Sequence, residues 1–213
     1  MKNRTDRLSD LVKGKYNNGD PGHDYAHIMR VVGVCNKIGG KLEVDLEILI
    51  PAAMLHDLVN LPKDHPERNQ ASQKAAQEAE EILKGLEYSE KEINQIKMVI
   101  TEHSYSLGKK PSCIESAVLQ DADRLDALGA IGIMRTVTCG CRLGADYYDV
   151  GDPFGKNREL NDKQFTIDHF FTKLFKLVNT FNTDEAKSEA QERVQFMKSF
   201  LNQLESEIKI EIT

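Results

Sequence analysis

Basic charge is the first thing this chain is short of. Its 28 Lys and Arg are outnumbered by 34 Asp and Glu, giving a net charge of -6. No global basic field exists to hold a nucleic-acid polymer or an anionic membrane, so both are excluded as generic partners. A small anionic ligand is not excluded, because a bound dication and a few local Lys or Arg side chains reverse the field locally. Long apolar runs are missing too. Nothing approaches the ~20 residues of a membrane span, and the N-terminus, MKNRTDRLSDLVKGKY, has no apolar signal core. Only four cysteines occur, Cys35, Cys113, Cys139 and Cys141, without the spacing of a zinc framework or a secreted disulfide pattern. They read as small apolar residues in a reduced cytosol. These absences point to a cytoplasmic chain. Its 213 residues suffice for one domain with a substantial core, and hardly for two.

Strand-like alternation is also scarce, and long stretches with a 3.6-residue apolar period take its place. They predict an all-α fold, with helices over 5–16, 24–38, 45–58, 67–86, 89–103, 113–127, 130–143, 166–181 and 184–209. The run Asn17-Asn18-Gly19-Asp20-Pro21-Gly22 ends the first helix and Gly39-Gly40 the second. Pro51 falls inside the third, where it marks a kink or the true start. Ser89 with Glu92 three residues on forms a capping box, and Ile93, Ile96, Val99 and Ile100 share one face of the helix that follows. Residues 144–161 break the helical pattern and are too long and aromatic for a simple connector. Two readings stay open there. Tyr147, Tyr148 and Phe154 could stack on a base while Arg158 reaches phosphate, or the aromatics could hold a surface excursion in place.

Polar residues at the ends of apolar runs carry the chemistry. His56-Asp57 follows Ile50-Pro51-Ala52-Ala53-Met54-Leu55. His27 precedes the apolar face that begins at Met29, and Asp123 sits among Val118, Leu119, Leu125, Ala127 and Leu128. Singly, His27 reads as a packed core histidine, and Asp123 as exposed or paired with Arg124. A buried carboxylate needs a cation or a hydrogen-bonding partner. Together, two His and two Asp make a mixed ligand set suited to Mn²⁺, Fe²⁺, Co²⁺, Ni²⁺ or Zn²⁺, with positions left for water and substrate oxygens. His23 would share a helix face with His27, while Asp24 reads as a helix cap. Asp168-His169 reads as packing or helix-start electrostatics.

The order His27, His56-Asp57, Asp123 resembles the H…HD…D pattern of HD-domain metal-dependent phosphohydrolases. The runs GHDYAHIMRVV, MLHDLVNLPKDHPER, ITEHSYS and LQDADRLDALGAIGIMR extend the resemblance over roughly residues 20–175. They are similar to a bacterial subfamily that includes nucleoside-triphosphate pyrophosphohydrolases. The resemblance implies one helical HD domain spanning residues 1–213, with its core at about 20–175, the helices of about 166–209 packed on it, and the ion at the centre of the bundle. It implies His27, His56, Asp57 and Asp123 as ligands of one divalent transition metal, with Mn²⁺ the first expectation. It also implies hydrolysis of a nucleoside or deoxynucleoside triphosphate to the monophosphate and pyrophosphate.

One departure bears on mechanism. Some HD phosphomonoesterases carry a Glu three residues after the HD aspartate; here Asn60 stands there, and an amide cannot act as a base. A base would then come from Asp64, Glu102, His103 or a metal-bound hydroxide. Lys63, His65 and Arg68 place three candidate cations just beyond two ligands, suited to a polyphosphate. The expected catalytic set is Lys63, Asp64, His65 and His103; the expected substrate contacts are Asn60, Lys63, His65, Arg68 and Arg124. His103 also suits a purely helix-terminal role, and Asp126 suits orienting a ligand imidazole or holding Arg124. Competing readings are a nucleoside monophosphate phosphatase, a guanosine tetraphosphate hydrolase, a non-catalytic nucleotide or metal sensor, and a helical scaffold with merely buried polar groups. The long C-terminal helix suits packing on its own core or in a homodimer.

Overall fold

The computed structural model describes residues 3–16, 22–61, 65–104 and 107–208. The described residues are helical, with no strand among them: α1 Arg4–Val12, α2 Tyr25–Gly39, α3 Leu46–Leu55, α4 Ala71–Gly85, α5 Glu90–Glu102, α6 Ile114–Asp126, α7 Gly129–Leu143, α8 Asp168–Thr172 and α9 Asp184–Ile208. Two compact units divide the chain, one ending at Asp123 and the other beginning at Arg124.

The first unit is built around α3. Every residue of α3 from Ile48 to Leu55 is buried, as a helix apolar on all sides requires. It packs against α1, α2, α4 and α5. Asp45 caps its start by accepting from the Glu47 amide at 2.9 Å, so Pro51 lies in the helix interior rather than at its beginning. The helix is also shorter than its periodicity suggests: it stops at Leu55, before His56 and Asp57. Around it, α2 buries Ile28, Val31, Val32, Cys35 and Ile38, and α5 buries the expected face of Ile93, Ile96, Val99 and Ile100. The capping box at Ser89 and Glu92 forms as expected. Arg4 in α1 reaches both Glu47, at 3.1 Å, and Glu92, at 2.8 Å, while lying 4.2 Å over the Tyr88 ring. The expected helix over 67–86 opens as a single 3₁₀ turn, Arg68–Gln70, before α4 begins. The seam between α4 and α5 is lined by Ala75, Ala76, Ala79 and Leu83 and crossed by a bond from the Ser72 hydroxyl to the Thr101 carbonyl.

In the second unit α7 packs on α9, and α9 on the 3₁₀ segment Leu174–Thr180. Here the expected continuous helix over 166–181 does not form. Its first residues are used otherwise: the amides of Thr166 and Ile167 donate to the carbonyls of Asp146 and Tyr147, and Asp146 forms an isolated parallel bridge with Phe165. What remains is the five-residue α8 followed by the 3₁₀ segment. Arg158 does not project for phosphate. Both of its terminal nitrogens donate to the fully buried carboxylate of Asp168, at 2.6 and 2.8 Å, and its guanidinium lies over the Phe165 ring. The irregular segment is thus tied down by a buried, bidentate ion pair. His169 Nδ1 donates to the Asp162 carboxylate at 2.8 Å, and Asp168 stands in the first turn of α8, as a helix-start role expects. The four cysteines form no disulfide with one another.

Two glycines separate backbone necessity from convenience. A Cβ on Gly132, in α7, would lie 2.3 Å from the Ala127 carbonyl oxygen, whereas one on the exposed, mid-helical Gly33 of α2 would meet nothing. Gly132→Ala should therefore cost about 2 kcal/mol of unfolding free energy. Gly33→Ala should add about 1 kcal/mol from helix propensity alone. Urea denaturation of the two variants checks both signs.

Candidate metal centre

Helix ends deliver the polar residues of the first unit to one place. Asp24 caps α2 by accepting from the His27 amide at 2.8 Å, which sets His27 in the first turn. His56 is the C-cap of α3, with Asp57 one residue further on, and His103 is the C-cap of α5. Asp123 projects from α6.

Asp57 is the hub. Its Oδ2 lies 3.6 Å from His27 Nε2, 3.7 Å from His56 Nε2 and 4.0 Å from His23 Nε2. Its Oδ1 lies 3.7 Å from His103 Nε2. Asp123 Oδ1 stands 3.6 Å from the same nitrogen of His27. These separations exceed ordinary hydrogen bonds, so the groups converge without closing on one another. The imidazoles contact edge to face, His56 on His27 at 5.5 Å between centroids and on His103 at 4.8 Å.

The two C-cap histidines are oriented by the same device. His56 Nδ1 lies 2.8 Å from the Ala53 carbonyl, and His103 Nδ1 lies 2.6 Å from the Ile100 carbonyl. A carbonyl only accepts, so each Nδ1 carries a proton, and in a neutral His56 ring this leaves Nε2 with its lone pair toward the site. Burial pushes His56 down to about 4 despite the pull of Asp57, which keeps the ring neutral at physiological pH. Burial also opposes the charge on Asp57, but the surrounding imidazoles of His56, His103, His23 and His27 outweigh it and hold the carboxyl well below its usual range. His103 moves the other way: burial would lower it, but the Asp57 carboxylate raises it above an ordinary histidine.

The donor set fits a divalent ion. His27, His56 and Asp57 each offer a ligand atom, all within 4.8 Å of one another, and Asp123 adds a second carboxylate beside His27. The buried Nε2 of His56 has no hydrogen-bond partner among the described residues. A lone pair sealed from water is costly unless something binds it, and a neutral imidazole next to a carboxylate is what a transition metal requires.

The other expected residues divide. Lys63 and Asp64 lie outside the described residues. Asn60 is half-buried. His65 accepts from the Glu67 amide through Nδ1, and the Arg68 guanidinium donates to the Leu61 carbonyl, so both have backbone partners. Arg124 donates to the Thr180 carbonyl, and Asp126 accepts from Arg135 at 2.6 Å. Glu102 is occupied by the amide and hydroxyl of Ser112, both at 3.0 Å, and is not free to act as a base. Two contributors escaped the sequence reading. Gln120 donates to the Glu102 carbonyl, beside His103, at 2.8 Å; its place one turn before Asp123 was the available signal. Tyr16 donates to the Met54 carbonyl at 2.8 Å, and nothing local marks it.

An all-helical unit with a histidine-aspartate centre at its helix ends defines a recognisable class. A family model described as HD domain matches residues 24–128, a span that contains His27, His56, Asp57, His103 and Asp123. The chain belongs to the HD domain family, among the HD-superfamily hydrolases. Among individual proteins, it is 32% identical over 209 residues to the uncharacterised protein YpgQ of Bacillus subtilis, covering 96% of this chain and 94% of that one. The crystal structure of B. subtilis YpgQ in complex with ADP superposes with a TM-score of 0.77 at 32% identity, covering 97% and 96% of the two chains. An HD-superfamily hydrolase from Bacillus thuringiensis gives a TM-score of 0.76 at 30% identity over 98% of each chain.

Metal loading should be visible without any substrate. Chelator-stripped protein should gain thermal stability on addition of Mn²⁺, by about 2.7 kcal/mol at one hundred times the dissociation constant. Asp57→Ala should lose most of that gain in differential scanning fluorimetry.

Proposed function

We propose that this protein is a metal-dependent phosphohydrolase acting on nucleotides, and that it cleaves a nucleoside or deoxynucleoside triphosphate to the monophosphate and pyrophosphate. The observation that carries the reading is the convergence of His27, His56, Asp57 and Asp123 around the partnerless Nε2 of His56. The complex of YpgQ with ADP supports a nucleotide as the class of ligand. The same reading takes residues 1–213 as one HD domain working in the cytoplasm.

A bound divalent ion, Mn²⁺ in the first instance, supplies Lewis acidity and an acidified water. The chain's own residues do the rest. His27, His56, Asp57 and Asp123 would hold the ion. His103 holds a proton at Nε2 against Asp57 Oδ1 and transfers it as the leaving oxygen develops charge. Lys63, His65 and Arg68 bind the polyphosphate and stabilise the departing pyrophosphate, with Asn60 and Arg124 as further contacts and Asp64 available to orient water. In balance, water adds to the α-phosphorus, the α–β anhydride bond breaks, and pyrophosphate leaves. Asn60 argues against a Glu-assisted monoesterase.

The test is a panel of nucleotides against divalent ions, with products resolved by anion-exchange chromatography. Equimolar monophosphate and pyrophosphate are expected; orthophosphate released from a triphosphate without added pyrophosphatase would reject the cleavage site. His103→Ala should keep its metal yet lose about 10²-fold or more in kcat.

A further inference from the structure

The last turn of α3 has an unusual supply of partners. A helix end leaves carbonyls without intrahelical donors, and three consecutive ones are met here in three different ways. Ala53 is taken by the His56 imidazole, Met54 by the Tyr16 hydroxyl at 2.8 Å, and Leu55 by the Leu58 amide at 3.4 Å. The middle one matters most for the site. Its peptide lies two residues before His56 and three before Asp57, and its partner comes from 38 residues away in sequence.

Tyr16 is buried, with 2% of its surface exposed. It lies just past α1, in the segment that precedes the HD match at residues 24–128. α1 itself packs on α3 through a face that buries Leu8 and Val12. The phenol thus arrives on a packed element. Its hydroxyl feels Asp57 directly: burial raises its pKa far beyond the ordinary tyrosine range, the Asp57 carboxylate adds to the rise, and the Asp57 backbone N–H opposes it. α5 repeats the arrangement, since His103 takes the Ile100 carbonyl and Gln120 takes that of Glu102. In both helices a histidine turns its own Nδ1 onto the helix end, and a side chain from another element occupies a neighbouring carbonyl.

We propose that Tyr16 is a positioning residue of the metal centre: its hydroxyl fixes the Met54 peptide at the end of α3, and so sets where His56 Nε2 and the Asp57 carboxylate stand relative to His27. The inference rests on the reading of this site as a metal centre. Without the hydroxyl the Met54 carbonyl is buried and unmet, the last turn relaxes, and the ligands lose their preset separation. Groups that orient metal ligands affect affinity even though they never touch the ion.

The test uses full-length, chelator-stripped protein and two probes. Calorimetric titration with MnCl₂ reads affinity, and the visible absorption of the Co²⁺-loaded form reads ligand geometry. Tyr16→Phe removes one oxygen and keeps the ring; it should weaken Mn²⁺ binding about tenfold or more and shift the Co²⁺ band. Val12→Ala loosens α1 without touching the hydroxyl and should leave affinity and band as in the wild type. Wild-type affinity and an unchanged band in Tyr16→Phe would overturn the proposal. So would an equal loss in Val12→Ala, which would reduce Tyr16 to general packing. Wild-type protein that takes up neither ion would sink the metal-centre reading itself, a failure distinct from the other two.

Discussion

One half-buried carboxylate organises the first unit. Asp57 keeps its charge in an apolar surrounding because four imidazoles face it within 4.0 Å. A charge in that position without partners would be neutralised by taking up a proton. The imidazoles therefore have to be there, and each has to be aimed. α2 must begin at Asp24, α3 must stop before His56, and α5 must stop at His103, or the nitrogens would face elsewhere. From Ile48 onward the apolar α3 supplies the post from which this is arranged, buried on all sides and ending where the polar residues begin.

The division of labour within α3 explains an otherwise contradictory sequence. A helix that buries every residue from Ile48 to Leu55 has little surface on which to place chemistry. The chain resolves this by putting the reactive pair immediately beyond the helix, where the end of the hydrogen-bond ladder frees carbonyls to orient side chains. His56 thereby serves two ends at once, capping the helix through Nδ1 and facing the site through Nε2. His103 does the same on α5, so a helix-terminal role and a place in the site are not alternatives for it.

The legible parts of this protein were those governed by local pattern. The apolar periodicity of α2, α5 and α9, the capping box at Ser89 and the cap at Asp24 are all settled within a few residues, and they stand where the sequence indicates. The ligand candidates were legible because His56-Asp57, His27 and Asp123 are polar interruptions of apolar stretches. The failures have tertiary causes. Residues 166–181 have a helical period, but the backbone of Thr166 and Ile167 is claimed by Asp146 and Tyr147, some twenty positions earlier. For Arg158 a phosphate contact stayed open beside a surface excursion, because its partner, Asp168, belongs to a different segment. Tyr16 follows a short amphipathic helix like many others, and only the fold brings it to Met54.

The locked Nδ1 atoms have a consequence for exchange with solvent. An imidazole whose one nitrogen is committed to a backbone carbonyl has a single face left to offer, and that face admits either a proton or an ion. Occupants of the centre are thus rivals, and loading and acidification become one competition rather than two separate events. For His56 the proton is a weak rival, since burial lets it bind only near pH 4. Down to that acidity this corner of the site remains open to whichever cation the surroundings supply, with no rearrangement of the ring required to receive it.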